Sequence, residues 1–414
     1  MNNSSAVSMP SDLKEENRKA VLYSFQDTEP LTANDIAGRT GISRQTVKKC
    51  IEYYVRNQLL CSWGKGTSST VGGKRPELYT LNDKVRFLCV LLHHHEIVLS
   101  LTDVGYNQLN NWSSDTVDIS SMDVMWNIIS EGMKTLLATE SKDTVIGICM
   151  VVPFLTDENN CLIVETPFPN WPKTDYGRSL SEPLSGMFPQ AKNIQVITDG
   201  IAAGSAIIQE NTALRTKGNL ITIYSASGIG GALFHDGEMV NGTRKIVGAY
   251  GHITVAPEDQ EVCGCGSRGC LECMVSRKRL WNRFVNQKDL YQKSLLADIP
   301  ENKVTFPQLF AASAKGDELC RKESAYYAEM FAIAIRNFVL VADPGTVVFQ
   351  GDFGKADDVF RKRLYNKLHE FKYIREVDQL LIEYDDKDLI KQEAIGATYI
   401  LINDYLRHPE HYME

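Results

Sequence analysis

The 414-residue sequence has no uninterrupted apolar run near the ~20 residues that a membrane-spanning helix needs. Met1 to Pro10 is polar and rich in Ser and Asn, without the basic-then-apolar pattern of a secretory leader. These absences predict a cytoplasmic protein that does not engage a membrane. There is no heptad pattern, tandem repeat or low-complexity tract. Hydrophobic residues make up 43% and charged residues 23%, which excludes collagen-like and largely disordered chains. At about 100–200 residues per domain, the length predicts two or three domains.

Charge is unevenly spread. Residues 1–80 hold 11 Lys/Arg against 8 Asp/Glu, a net +3, leaving 33 against 44, a net −11, for the remainder. An acidic body with a mildly basic head assigns any nucleic-acid contact to the head, although ordinary fluctuation gives the same imbalance.

The head reads as three helices. The first runs from about Asp12 to Phe25, with Leu13, Val21, Leu22 and Phe25 inward. Thr32 caps the second, and Gly41 stops it in a backbone conformation that glycine adopts freely. Ser43 caps the third, with Val47, Ile51, Val55 and Leu59 as its inner stripe. Two helices joined by a tight Gly-containing turn form a helix-turn-helix. Ser43, Arg44, Gln45, Thr46, Lys48 and Lys49 form the outer face of the third helix, suited to base edges and phosphates. Leu60 to Trp63 and Glu77 to Leu81 read as paired strands around a Gly-rich basic loop. That loop makes a wing in which Lys74 and Arg75 reach a phosphate or minor groove. A protein-binding three-helix module is the alternative.

From Asp83 onward the pattern changes to alternating strands and helices, which argues α/β architecture. Strands are expected at Arg86 to Leu92, Ile97 to Thr102, Val145 to Val152, Asn193 to Thr198, Leu220 to Tyr224 and Thr346 to Gln350. Helices are expected near Met122 to Leu137, Gly200 to Glu210, Val275 to Val285 and Ser324 to Val341.

Of ten cysteines, six are scattered and read as core packing, whereas Cys263, Cys265, Cys270 and Cys273 are clustered. His252 precedes Cys263, Cys265 and Cys270 at intervals of 11, 2 and 5. Three thiolates and one imidazole make a closed tetrahedral set, the chemistry of structural Zn²⁺. Cys273 is a spare thiol. A redox cluster is the competing reading.

Gly-Ala-Tyr-Gly-His (Gly248 to His252) and Cys-Gly-Cys-Gly-Ser-Arg-Gly-Cys-Leu-Glu (Cys263 to Glu272) resemble the signature of the ROK family (repressor, open reading frame, kinase). That family joins sugar kinases to sugar-responsive repressors, such as those for xylose and N-acetylglucosamine. The winged head and Gly72 to Tyr79 resemble the repressor branch. The resemblance implies a two-lobed, actin-like (ribonuclease H-like) ATPase-type body behind a winged helix-turn-helix. Its divisions are 1–82 for the head, 83–199 for the first lobe and 200–414 for the second lobe with the zinc loop. The last helix returns to the first lobe.

The resemblance also supplies expectations for the site. ROK kinases resemble one another in an Asp-x-Gly-Gly-Thr loop after the first strand, where this chain has Leu91-Leu92-His93-His94-His95-Glu96. A second loop survives in part as Ser225 to Gly231, and Gly351-Asp352 stands where paired glycines are usual. The expectation is therefore no enzyme activity. Asp199, His252 and Glu272 match family positions that contact sugar hydroxyls, while Thr198 and Ala249 replace a family Asn and Glu. The reading is a homodimeric or homotetrameric repressor that binds operator DNA and senses a sugar. A kinase with a regulatory head and a regulator controlled by a protein partner are the alternatives.

Overall fold

The computed structural model describes residues 10–27, 29–66, 75–114, 119, 121–154, 171, 176–216, 218–375 and 380–413. Lys74, and with it the centre of the basic loop, lies outside the described residues. The chain divides into two compact units. One comprises residues 1–150, 179–196 and 398–414, and the other residues 151–178 and 197–397.

The first unit opens with α1 (Pro10–Tyr23), β1 (Leu31–Thr32), α2 (Ala33–Thr40), α3 (Arg44–Arg56), β2 (Leu60–Lys65) and β3 (Glu77–Leu81). The three strands form an antiparallel sheet in the order β1-β3-β2. Thr32 starts α2 with a capping box, its hydroxyl accepting from Asp35 N while the Asp35 carboxylate accepts from Thr32 N. Gly41, at φ +70°, ends that helix, as the sequence predicts. On α3 the buried residues are Val47, Cys50, Ile51 and Tyr54. Val55, expected inside, is exposed, because Tyr54 follows Val47 by seven residues and returns to its azimuth. Leu13 is likewise exposed.

The larger sheet of the first unit has the order β6-β5-β4-β7-β8. Its strands are β4 (Arg86–Leu92), β5 (Ile97–Asp103), β6 (Gln108–Ser113), β7 (Val145–Val152) and β8 (Asn193–Thr198). Helices α4 (Met122–Leu136) and α5 (Tyr176–Met187) complete it. Strands β4, β5 and β6 are an antiparallel meander, and β4 is buried almost throughout. The three histidines lie in the β4–β5 turn, which His93 N closes on Glu96 O.

The longer segment of the second unit, residues 197–397, opens with α6 (Asp199–Glu210). Its sheet has the order β11-β10-β9-β12-β13, from β9 (Asn219–Ser225), β10 (Ile229–His235), β11 (Glu238–Met239), β12 (Pro344–Gly351) and β13 (Leu381–Asp385). β9 to β11 pair antiparallel, whereas β12 runs parallel to both β9 and β13. Four short or medium helices follow the metal loop: α7 (Leu271–Met274), α8 (Arg277–Asn286), α9 (Lys288–Tyr291) and α10 (Phe306–Ala314). α11 (Glu318–Ala342), α12 (Asp358–His369), α13 (Lys372–Arg375) and α14 (Leu389–Arg407) complete the chain. α11 is long and apolar enough by length and composition to cross a membrane. Its buried residues include Glu323 and Ser324, and its Phe331, Ile335 and Phe338 belong to the core of this unit. Those features mark α11 as a core helix.

α14 passes from the second unit into the first. Within the first unit, the Thr398 hydroxyl lies 3.4 Å from both Cys89 Sγ and the Thr102 hydroxyl. Tyr405 packs edge-on to Phe87, and its hydroxyl donates to Leu59 O at 3.2 Å. Arg407 donates to the Tyr23 hydroxyl at 2.8 Å and covers that ring. The C-terminal helix thus contacts the head through Leu59 and Tyr23.

Asp357 ties three helices of the second unit together. It caps α12, accepting from Phe360 N at 3.1 Å, and it accepts the hydroxyls of Ser313 at 2.6 Å and Ser324 at 2.5 Å. Removing it strands two buried hydroxyls and one helix-end amide. Asp357→Ala is expected to cost about 2–4 kcal/mol, read as a lower urea midpoint, with Asp357→Asn recovering part of the loss.

Candidate functional site

The candidate site of the second unit is built where glycine lets backbone approach backbone. Gly231 has φ +159°, and a Cβ there would fall 1.8 Å from Thr222 O. A Cβ on Gly200, beside Asp199, would lie 2.7 Å from Gly231 N. Gly251, beside His252, approaches Ile229 O and the Glu272 side chain so closely that its Cβ would lie 2.5 Å from that oxygen. The start of α6, the β9–β10 hairpin, the 3₁₀ turn Tyr250–His252 and α7 therefore meet with no room for side chains between them. This contact brings Asp199, His252 and Glu272 into one neighbourhood.

Each of the three has a defined environment. Asp199 is the first residue of α6, but the cap is Thr198, whose hydroxyl accepts from Ile201 N at 3.4 Å. Asp199 Oδ1 accepts from Gly200 N at 2.7 Å. The Tyr224 hydroxyl donates to Glu393 Oε1 at 3.0 Å and also interacts with Asp199. Burial, then the Asp199 and Glu393 charges, push the Tyr224 hydroxyl well above the ordinary phenol range, so it stays a donor. Glu272 Oε2 accepts from Ile229 N at 2.8 Å, which pins the β9–β10 turn to α7. Tyr224 and Glu393 were not legible as site residues. Tyr224 sits in a β-rich run where an aromatic reads as core, and Glu393 is a fully buried acid in a mixed helix pattern.

The metal-binding candidates converge. His252, Cys263, Cys265 and Cys270 offer one donor atom each, all within 4.8 Å of one another. Cys265 Sγ lies 3.6 Å from Cys270 Sγ, and Cys263 Sγ lies 3.6 Å from His252 Nδ1. Tetrahedral zinc with Zn–S bonds of about 2.3 Å separates its sulfurs by about 3.8 Å, so the donor set fits Zn²⁺. The loop reaches this geometry through bridges Thr254–Cys270 and Val262–Arg268 and the bonds Cys263 N to Ser267 O and Gly266 N to Cys263 O. Burial raises the thiols of Cys263 and Cys270, so a bound cation would be needed to hold both as thiolates at neutral pH. Burial pushes Cys273 up to about 12, and it lies outside the four-donor set. The Cys263-facing nitrogen of His252 is Nδ1, which leaves Nε2 for another partner.

The turn at the end of β9, which the family resemblance matches to a phosphate-binding loop, has its first serine bonded inward. The Ser225 hydroxyl donates to Gln350 O at 2.6 Å and accepts from Phe353 N at 3.0 Å. Arg277 pairs with Asp352 at 2.9 Å. Burial raises the Asp352 carboxyl, with Arg277 pulling the other way. The cleft lined by Ser225 to Ile229, Glu272, Arg277, Phe306, Asp352 and Phe353 has a cavity volume of only ≈ 20 Å³. A small-molecule site ordinarily needs about 300–1,000 Å³.

In the first unit, Ser43, Arg44, Gln45, Lys48 and Lys49 are exposed on α3 and Thr46 is half-buried. Ser43 and Thr46 bond to each other through their hydroxyls at 2.9 Å, and Ser43 accepts from Thr46 N at 3.2 Å. Those two residues therefore serve the helix start, which leaves Arg44, Gln45, Lys48 and Lys49 as the outward donors. Arg75 is exposed just before β3, and Gly66 N donates to Pro76 O at the base of the loop.

Two five-stranded α/β sheets with a glycine-packed hub and a Cys₃His loop make an α/β ROK-type fold with actin-like sheets. The chain belongs to the ROK family, which it matches over residues 89–403. It is 23% identical to a xylose repressor of Caldicellulosiruptor bescii over 412 residues, covering 96% of this chain and 98% of that one. It is similar in fold to a ROK-family transcriptional regulator described as a homologue of the E. coli MLC protein. That likeness has a TM-score of 0.78 and 19% identity, and covers 97% of this chain and 99% of the other. A ROK hexokinase from Thermus thermophilus gives a TM-score of 0.61 at 19% identity, covering 77% of this chain and 99% of the hexokinase.

Cys265→Ser is expected to abolish a bound content of about one zinc per chain and to lower the unfolding midpoint of the second unit. Metal analysis and thermal unfolding read both; a metal-free wild-type chain of undiminished stability would contradict the assignment.

Proposed function

We propose that this chain is a sugar-responsive DNA-binding transcriptional repressor whose residues 1–82 are a winged helix-turn-helix. One observation carries the DNA reading. On α3 the buried set Val47, Cys50, Ile51 and Tyr54 turns Arg44, Gln45, Lys48 and Lys49 outward together. Arg and Gln match the donor and acceptor edges of G and A, while Lys supplies phosphate contacts. The xylose repressor of C. bescii is similar over nearly the whole chain, head included, which supports the same reading.

Asp199, His252 and Glu272 are proposed as the sugar-binding residues. Asp199 retains carboxylate acceptors for hydroxyls, and His252 presents Nε2 while Nδ1 faces the metal set. Glu272 gives one oxygen to Ile229 N, which fixes its carboxylate in place. Zn²⁺ held by His252, Cys263, Cys265 and Cys270 is proposed to be structural. A homodimer, or a homotetramer built as a dimer of dimers, would place two heads on a two-half-site operator.

Kinase activity is not part of the proposal. Phosphoryl transfer needs backbone donors for phosphate and a metal-binding carboxylate. Here a histidine turn stands after β4, and the second loop spends Ser225 on Gln350 and Phe353.

Lys48→Ala combined with Lys49→Ala is expected to weaken operator binding roughly 10- to 100-fold and to lower the salt slope by about 2. Sugar binding, read by calorimetry, should be unchanged in that variant. Unaltered operator affinity in fluorescence anisotropy would remove α3 as the recognition element. A coupled ATPase assay over a hexose panel is expected to stay at background, and sugar-dependent turnover would favour a kinase.

A further inference from the structure

We propose a second metal site, unrelated to the cysteine cluster, formed by His408, Glu410 and His411 at the C-terminal end of the first unit. It takes a divalent first-row transition ion of the nickel, copper and zinc group, for which imidazole and carboxylate are suitable ligands. The proposal does not rest on the DNA or sugar readings.

The local fold makes the site. Pro409–Tyr412 is a 3₁₀ turn, and His411 N donates to His408 O at 2.9 Å. Residues three apart on such a turn eclipse, because it has three residues per turn. His408 and His411 accordingly stack, with ring centroids 5.3 Å apart and planes 20° from parallel. Glu410 lies with them, its Oε1 3.5 Å from His408 Nδ1, and one donor atom from each of the three falls within 4.8 Å of the others.

The turn is held rigidly, so the donors are pre-positioned. Pro409 is buried. The Tyr412 hydroxyl donates to Leu401 O at 3.1 Å and accepts from Asn193 at 2.6 Å, and its ring packs on Tyr405. The Asp404 carboxylate, itself anchored by Asn193 at 2.7 Å, meets His411 Nδ1 at 3.0 Å. That arrangement directs Nε2 of His411 outward as the metal-ligating nitrogen, the role a carboxylate plays behind a ligating histidine. All three ligand side chains are between 42% and 50% exposed, so an ion reaches them from solvent.

A single cation now occupies part of this position. Lys19 of α1 donates to Glu410 Oε1 at 2.8 Å and also meets Glu15 at 3.2 Å. A metal ion would take Glu410 from Lys19 and so exchange the ionic tie between α1 and the C-terminal turn for coordination within the turn.

The test uses the full chain with its cysteine site loaded. Co²⁺ is titrated and bound metal counted by equilibrium dialysis, with absorbance monitored. The expected result is one further equivalent without new thiolate-to-cobalt absorption. His408→Ala combined with His411→Ala should lose that equivalent, and Glu410→Gln should weaken it several-fold. Lys19→Ala should strengthen it, a change that a structural defect would not produce. Circular dichroism establishes that each variant is folded. Uptake of the additional equivalent with unchanged affinity in the double-histidine variant, or no additional equivalent in the wild type, would overturn the proposal.

Discussion

The hydrogen bond from Ile229 N to the Glu272 carboxylate joins the two features on which the candidate site depends. Glu272 lies in the first turn of the helix that leaves the cysteine loop, and Ile229 begins the strand that leaves the β9–β10 turn. Because Gly251 and Gly228 press against the same carboxylate, neither segment moves without the other. A part-buried, charge-assisted bond of this kind is costly to break, since it leaves a carboxylate and an amide without their partner. A metal ion in the Cys₃His set would fix the loop side of this junction, and the β9–β12 sheet fixes the other side. The orientation of His252 follows from both.

The same frame leaves a cavity of only ≈ 20 Å³ at the second loop among the described residues. In a phosphate-binding loop the backbone donors must point at the ligand. Here the hydroxyl of Ser225 is bonded on both sides, and the Arg277–Asp352 pair closes the cleft. The Ser225 hydroxyl is thus committed within the second unit, and the cysteine-rich loop is kept beside it in the same fold. Binding a small polyol needs only acceptors and donors in fixed places, the role proposed for Asp199 and His252.

The parts that were legible in the sequence were those fixed by local chemistry. The spacing of His252, Cys263, Cys265 and Cys270 announces a tetrahedral donor set, and the four donors do converge. Thr32, Gly41 and Ser43 punctuate the head where the helices start and stop. β4, β7 and β8 have the bounds that the sequence predicts. β6 and β13 escaped because they are edge strands with polar, half-exposed sequences. Val55 was misplaced by continuing a stripe one residue past the azimuth that Tyr54 fills. Tyr224 and Glu393 escaped for a different reason: their roles are set by contacts 169 residues apart in the chain, for which no local pattern exists.

The central claim is that a sugar held by the second unit changes the affinity of the head for DNA. The direct measurement is fluorescence anisotropy on DNA from upstream of the gene, at fixed salt, with and without a panel of sugars, for wild type and Asp199→Asn. The account predicts sequence-selective binding that one sugar shifts in the wild type and that the variant no longer shifts, with its sugar-free DNA affinity intact. Selective binding that no sugar alters, or an equal sugar response in the variant, would contradict it.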